Sequence, residues 1–134
     1  MRKPMSIKQK QDIDEFLESF YPKAKKIGED LVSVRLKKTQ VRGFETMVAS
    51  VTRFSDVVNY VKNQAGKDNK KADKADWSLI ASDMLNHLEI LENKAKEIGE
   101  GDPGLVLAIK MKLARGWARQ VSTHYFYQES LTGS

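Results

Sequence analysis

Seven basic side chains, Lys37, Lys38, Arg42, Arg53, Lys112, Arg115 and Arg119, have the type and spacing to neutralise a row of phosphates. Each keeps its positive charge at neutral pH, and the arginine fork can engage two phosphate oxygens at once. Eleven positions separate Arg42 from Arg53, so on one helix they point the same way, about 16 Å apart. Lys112, Arg115 and Arg119 are spaced three and four apart and share a second helical face. If the two rows meet, they make a positive track for a single strand or a heteroduplex backbone. If they diverge, each is an ordinary solvated face, the first partly neutralised by Glu45 and Asp56, and the chain reads as a structural helical adaptor without nucleic-acid contact.

A second chemistry is suggested by Arg119-Gln-Val-Ser-Thr-His124. It resembles the Arg-x4-6-His signature of HEPN ribonucleases, in which the two residues act together on RNA at a composite dimer site. In that family a polar residue, often Asn, follows the arginine directly; here it is Gln120. The other reading of His124 is structural, because on a helix it projects with Trp117 and Val121 toward the edge of a core. The aromatic run Tyr125, Phe126 and Tyr127 likewise has two roles open to it. It could stack on bases, or lock the terminal helix onto its neighbours, which is the commoner use of such a run.

Other chemistry finds little support. Asp76, Asp83, Glu89, Glu92, Glu97 and Glu100 fall mostly on the solvent side of their helix, and no pair has the setting of a glycosidase or a two-metal site. There is no phosphate-binding glycine loop, no zinc spacing and no recognisable Ser/His/Asp arrangement. We therefore expect no enzyme activity, no cofactor, no metal and no small-molecule substrate.

Four helical patterns must position these residues. Ser6 caps a first helix whose apolar positions are Ile13, Phe16, Leu17, Phe20, Ala24, Ile27 and Leu31, with Pro22 expected to kink or split it. Thr39 is the expected cap of a second helix, striped by Val41, Phe44, Val48, Val51, Val58 and Val61 and ending at Gly66. Gly43 near its start suggests a close neighbour. Residues 66–75 carry many charges and no apolar period, the pattern of a mobile loop. Asp76 is expected to cap a third helix, with Trp77, Ile80, Met84, Leu88, Leu91, Ala95 and Ile98 inward and Gly99 at its end. Asp102 and Pro103 open a fourth, with Val106, Ile109, Leu113, Trp117 and Val121 buried. Residues 30–36 are a weak strand candidate, and no repeat is visible. The expected fold is an all-α compact bundle of four main helices in one domain, residues 1–134.

Charge is distributed unevenly along this frame. The net charge is +5, but the stretch from Arg35 to Lys71 carries nine Lys/Arg against Glu45, Asp56 and Asp68. A basic excess on an ordered element points to a polyanion partner, whereas residues 76–104 are acidic. The chain has no cysteine and only two histidines, His87 and His124, which excludes a disulfide framework and a thiolate metal site. Apolar runs fall far short of the roughly 20 residues that span a bilayer, and the N-terminus lacks the apolar core of a signal peptide. A cytoplasmic protein without a membrane partner is the expectation.

Two segments carry a family resemblance. Leu36-Lys-Lys-Thr-Gln-Val-Arg-Gly-Phe44 resembles the Leu-Thr-Thr-Ser-Gln-Ile-Arg pattern that opens a helix in the small subunit of type III-A CRISPR effector complexes. Ala118-Arg-Gln-Val-Ser-Thr-His-Tyr-Phe-Tyr127 is similar to that family's closing Glu-Ala-Leu-Val-Ala-Tyr-His-Lys-Phe-Tyr run. The middle, Val57 to Leu88, looks more like the type III-B small subunit. The resemblance covers about half of the chain. It implies a non-catalytic, RNA-binding helical subunit stacked in several copies along a ribonucleoprotein, working in antiviral defence. Its partners would be crRNA and target RNA backbone, other effector subunits and copies of itself. By position, Arg42 is the backbone contact best supported, while Lys37 and Lys38 replace the family's Thr-Thr and make the joint more basic.

Overall fold

The computed structural model describes residues 4–68 and 77–132. Within them the chain is helical throughout: α1 (Ile7–Ser33), α2 (Lys38–Ser50), α3 (Phe54–Asp68), α4 (Ser78–Gly99) and α5 (Pro103–Leu131). The all-α bundle expected from periodicity is what forms, with one more break than the sequence suggested.

The start of α1 follows from its first four residues. The Ser6 hydroxyl accepts from the Gln9 N–H at 3.0 Å while the Gln9 side chain accepts from the Ser6 N–H at 2.9 Å, a reciprocal box that satisfies two end donors. Of the two outcomes expected at Pro22, a kink or a split, the split does not occur, and α1 runs through it. Pro22 and Glu18 are both exposed, so the carbonyl that loses its partner four residues back stays in reach of water.

The expected strand at residues 30–36 is instead the end of α1 and its turn. Arg35 takes a left-handed conformation (φ 65°), its N–H reaches the Val32 carbonyl at 2.9 Å, and the Leu36 N–H reaches the Leu31 carbonyl at 3.1 Å. This is the Schellman closure, completed by the burial of both Leu31 and Leu36. The next helix opens at Lys37, not Thr39 as expected: Gln40 reaches back to accept from the Lys37 N–H at 2.8 Å, leaving Thr39 inside the first turn.

The single helix expected over residues 39–65 is two. Val51 is extended (φ −79°, ψ 156°), and the Ser50 hydroxyl donates back to the Thr46 and Met47 carbonyls at 2.8 and 3.2 Å. The reason is a change of phase. The stripe Val41, Phe44, Val48, carried straight on, would bury Ser55, Asn59 and Lys62. Breaking the helix after Ser50 lets Phe54, Val57 and Val61 enter the core instead, so Val51 and Val58 are only half-buried. Gly66 lies within α3 rather than ending it. Gly43 would meet only the Tyr60 hydroxyl, at an ordinary 3.6 Å. Lys67 and Asp68, also expected in the loop, belong to α3 as well, while residues 69–75 and the Asp76 cap lie outside the described residues. Further on, the Asp102 side chain accepts from the Leu105 N–H at 3.0 Å with Pro103 at the first helical position, as expected.

Helix α5 touches each of the other four helices and supplies the centre of the core. Phe44 meets Trp117 edge-on (5.7 Å between centroids) and lies 6.0 Å from Trp77. Against α1 the approach is closest at Gly28, where a Cβ would fall on the Val121 carbonyl oxygen and 2.9 Å from both the Tyr125 nitrogen and the His124 Cβ. Backbone cannot give way as a side-chain tip can. Gly28→Ala is therefore expected to destabilise the protein by about 1 to 3 kcal/mol, read as a lowered Tm, despite alanine's higher helix propensity.

Candidate nucleic-acid interface

Helices α2 and α5 lie side by side, and three contacts set their register. The Tyr125 hydroxyl donates to the Leu36 carbonyl at 2.6 Å in a buried bond. One turn into α2, the Arg42 guanidinium lies 5.2 Å from the centroid of the Phe126 ring. At the other end, the Arg115 guanidinium donates to the Val51 carbonyl at 3.0 Å, occupying a carbonyl that the helix break leaves without an intrahelical donor. Residues early in α2 thus meet residues late in α5, and the two helices run antiparallel.

This register answers what the two basic rows could not decide between themselves. Positions 115, 119, 122 and 126 follow one line along α5, and contacts at both ends of that line are to α2 or its end. Arg115 and Arg119 lie on that line and Lys112 borders it on the exposed side of α5, while Lys38 and Arg42 share a face of α2 one turn apart. Lys38, Arg42, Lys112, Arg115 and Arg119 are all exposed, and among the described residues none forms an ion pair with a carboxylate. Acidic α4 borders the opposite side of α5: there Lys110 pairs with Glu92 at 2.9 Å.

Arg53 does not join this group. The break between α2 and α3 removes the straight helix on which Arg42 and Arg53 were expected to align. Arg53 instead pairs with Asp56 at 3.2 Å and lines a separate groove with Phe54, Leu107 and Lys110. Lys37 and Arg35 sit at the joint before α2, where they line a groove of about 560 Å³ with Lys38, Thr39, Tyr125 and Glu129. The basic residues Lys70 and Lys71 lie outside the described residues.

Arg119 and His124 separate on α5. Five residues along a continuous helix turn a side chain by roughly 140°. His124 is half-buried against α1, edge-on to Tyr21 at 5.1 Å, whereas Arg119 is exposed. The aromatic run divides by depth: Tyr125 is buried, Phe126 half-buried and Tyr127 exposed. Burial, with the Glu129 charge adding to it, raises the Tyr125 pKa, which keeps its hydroxyl protonated as a donor.

His87 was not among the expected site residues, and it holds the core together. Trp117 Nε1–H donates to His87 Nδ1 at 3.1 Å, and an indole N–H can only donate, so this nitrogen carries no proton. Phe20 packs edge-on against the imidazole at 4.9 Å. Desolvation lowers the His87 pKa from its ordinary 6.5, with Lys23 adding to the effect and Asp83 opposing it. Among the described residues no three His, Asp or Glu side chains cluster as metal ligands, and no helix is long and apolar enough to cross a membrane.

Fold and site together define a small all-α bundle with a basic seam between two antiparallel helices. Comparison with family models, curated proteins and solved structures gives no match for this chain.

Two outcomes are expected. Because the folded state holds His87 neutral, the unfolded state binds more protons below about pH 6.5, so stability falls as pH drops through that window. Thermal melts across it should show the fall, and His87→Gln, which keeps an acceptor for Trp117 but does not titrate, should flatten it. Arg35→Gly should raise stability by about 1 kcal/mol by relieving the left-handed backbone, while removing one charge from the groove before α2.

Proposed function

We propose that this chain is a non-catalytic nucleic-acid-binding module that grips the phosphate backbone along the seam between α2 and α5. The observation that carries this reading is the gathering of Lys38, Arg42, Lys112, Arg115 and Arg119 on that seam without a carboxylate partner among the described residues. Unneutralised charges held on rigid helices keep their field for a polyanion. Contacts of this kind position a strand and carry little sequence information.

The resemblance to the small subunits of type III CRISPR effector complexes supports a setting for this activity. The two segments that carry it, residues 36–44 and 118–127, are far apart in sequence yet touch here, through Tyr125 and Leu36 and through Arg42 and Phe126. In that setting the module is a repeated cytoplasmic subunit of a defence ribonucleoprotein, with its seam toward crRNA and target RNA and its other surfaces toward neighbouring subunits. Binding is favoured over HEPN-type cleavage because His124 is half-buried, edge-on to Tyr21 of α1.

Arg42→Ala/Arg119→Ala tests the reading without disturbing the Arg115 bond that closes α2. Affinity for single-stranded RNA should weaken alike for unrelated sequences, and the slope of log affinity against log salt should become shallower by about 1.4. Binding unchanged by the double substitution would overturn the seam as the site. RNA cleavage by the pure protein, abolished by His124→Ala, would replace the binding module with a nuclease.

A further inference from the structure

Arg42 differs from the other cations of the seam in what lies beneath it. Its guanidinium is set over the ring of Phe126 at 5.2 Å, and Phe126 is fixed from below by Tyr125, edge-on at 5.1 Å. Tyr125 is in turn tied to the Leu36 carbonyl. This column runs from the buried α1–α2 corner to an exposed arginine. Lys and Arg side chains ordinarily spend rotamer freedom when they meet a ligand; here the cation–π contact holds the guanidinium over a ring before any ligand arrives.

A guanidinium held in this way has a second use beyond charge. Phe126 lies against the guanidinium on one side, while Arg42 as a residue is exposed, and guanidinium planes are stacking surfaces for unpaired bases. Lys38, one turn earlier on the same face of α2, lies about 6 Å away along the helix, placed to neutralise the phosphate next to a base stacked on Arg42. Paired bases in a duplex are already stacked on their neighbours and offer no free face.

We infer that Arg42 on Phe126 forms a stacking platform for one unpaired nucleobase, so that the seam recognises single-stranded RNA and not merely polyanionic charge. The inference rests on the backbone-binding reading above and adds a ligand class to it. It also separates the roles along the seam. Arg119 and Lys112 act through charge alone, whereas Arg42 acts through charge and shape.

The experiment compares Arg42→Lys and Phe126→Leu with the unaltered protein on three probes: oligouridylate, an abasic oligonucleotide of equal length, and inorganic polyphosphate. Arg42→Lys keeps the charge and is exposed, so it does not depend on the fold tolerating a change at Phe126. Both variants should lose about five-fold or more in affinity for oligouridylate beyond whatever they lose on the two probes that lack bases. Equal losses on all three probes, or no loss on any, would overturn the platform and leave the charge-based seam standing. Failure of the unaltered protein to bind any of the three at low salt would overturn the backbone-binding reading itself, and the platform with it.

Discussion

The buried bond from the Tyr125 hydroxyl to the Leu36 carbonyl is the contact on which the arrangement of the seam depends. Leu36 is the residue that closes α1, and the next residue opens α2. A backbone carbonyl at such a corner has no intrahelical donor, and leaving it buried and unpaired would cost about 1 to 3 kcal/mol. Tyr125 supplies the donor from the far end of α5. One bond therefore fixes the corner between α1 and α2 against α5, and everything downstream on α2 takes its register from that corner. The Arg115 bond to Val51 fastens the other end of α2 in the same manner, a side chain of α5 satisfying a carbonyl at a helix end.

Between those two anchors the basic residues have little choice of direction. Val41, Phe44 and Val48 must face the core, which turns Lys38 and Arg42 outward on the adjoining face. On α5 the inward positions are Ile109, Leu113, Trp117 and Val121, and the outward ones include Lys112, Arg115 and Arg119. The seam is thus a by-product of core packing with a particular choice of polar residues. The acidic side chains of α4 stand on the other flank of α5, where Glu92 has captured Lys110. Such segregation leaves a directional field, which steers a polyanion toward one side of the molecule.

Much of the fold was legible from periodicity. Apolar residues at three- and four-residue steps marked the helices, and Ser6, Asp102 and Pro103 marked two starts that formed as expected. The break after Ser50 was less visible, because Val51 and Val58 extend the stripe of α2 plausibly. The signal lay in Phe54, Val57 and Val61, a second stripe out of phase with the first, and both stripes enter the core only if the helix breaks between them. At Pro22 the helix is not divided: a proline on a solvent-facing turn costs a hydrogen bond without ending the helix. Arg35 gave no sequence warning, since a left-handed closing position is usually filled by glycine or asparagine.

The sequence by itself determined that this protein is a bundle of amphipathic helices with basic outer faces on α2 and α5. Helical period and side-chain polarity are local properties, readable without knowing any neighbour. Which of the basic faces stand together was decided only by the tertiary structure. Arg42 and Arg53 shared a stripe in the sequence and parted when α2 and α3 separated, while Arg42 and Arg119, 77 positions apart, came to border one seam. The angle between two helices is set by the close approach at Gly28, the Tyr125 and Arg115 bonds and the aromatic packing around Trp117. Those are contacts between distant segments, and no local pattern encodes them.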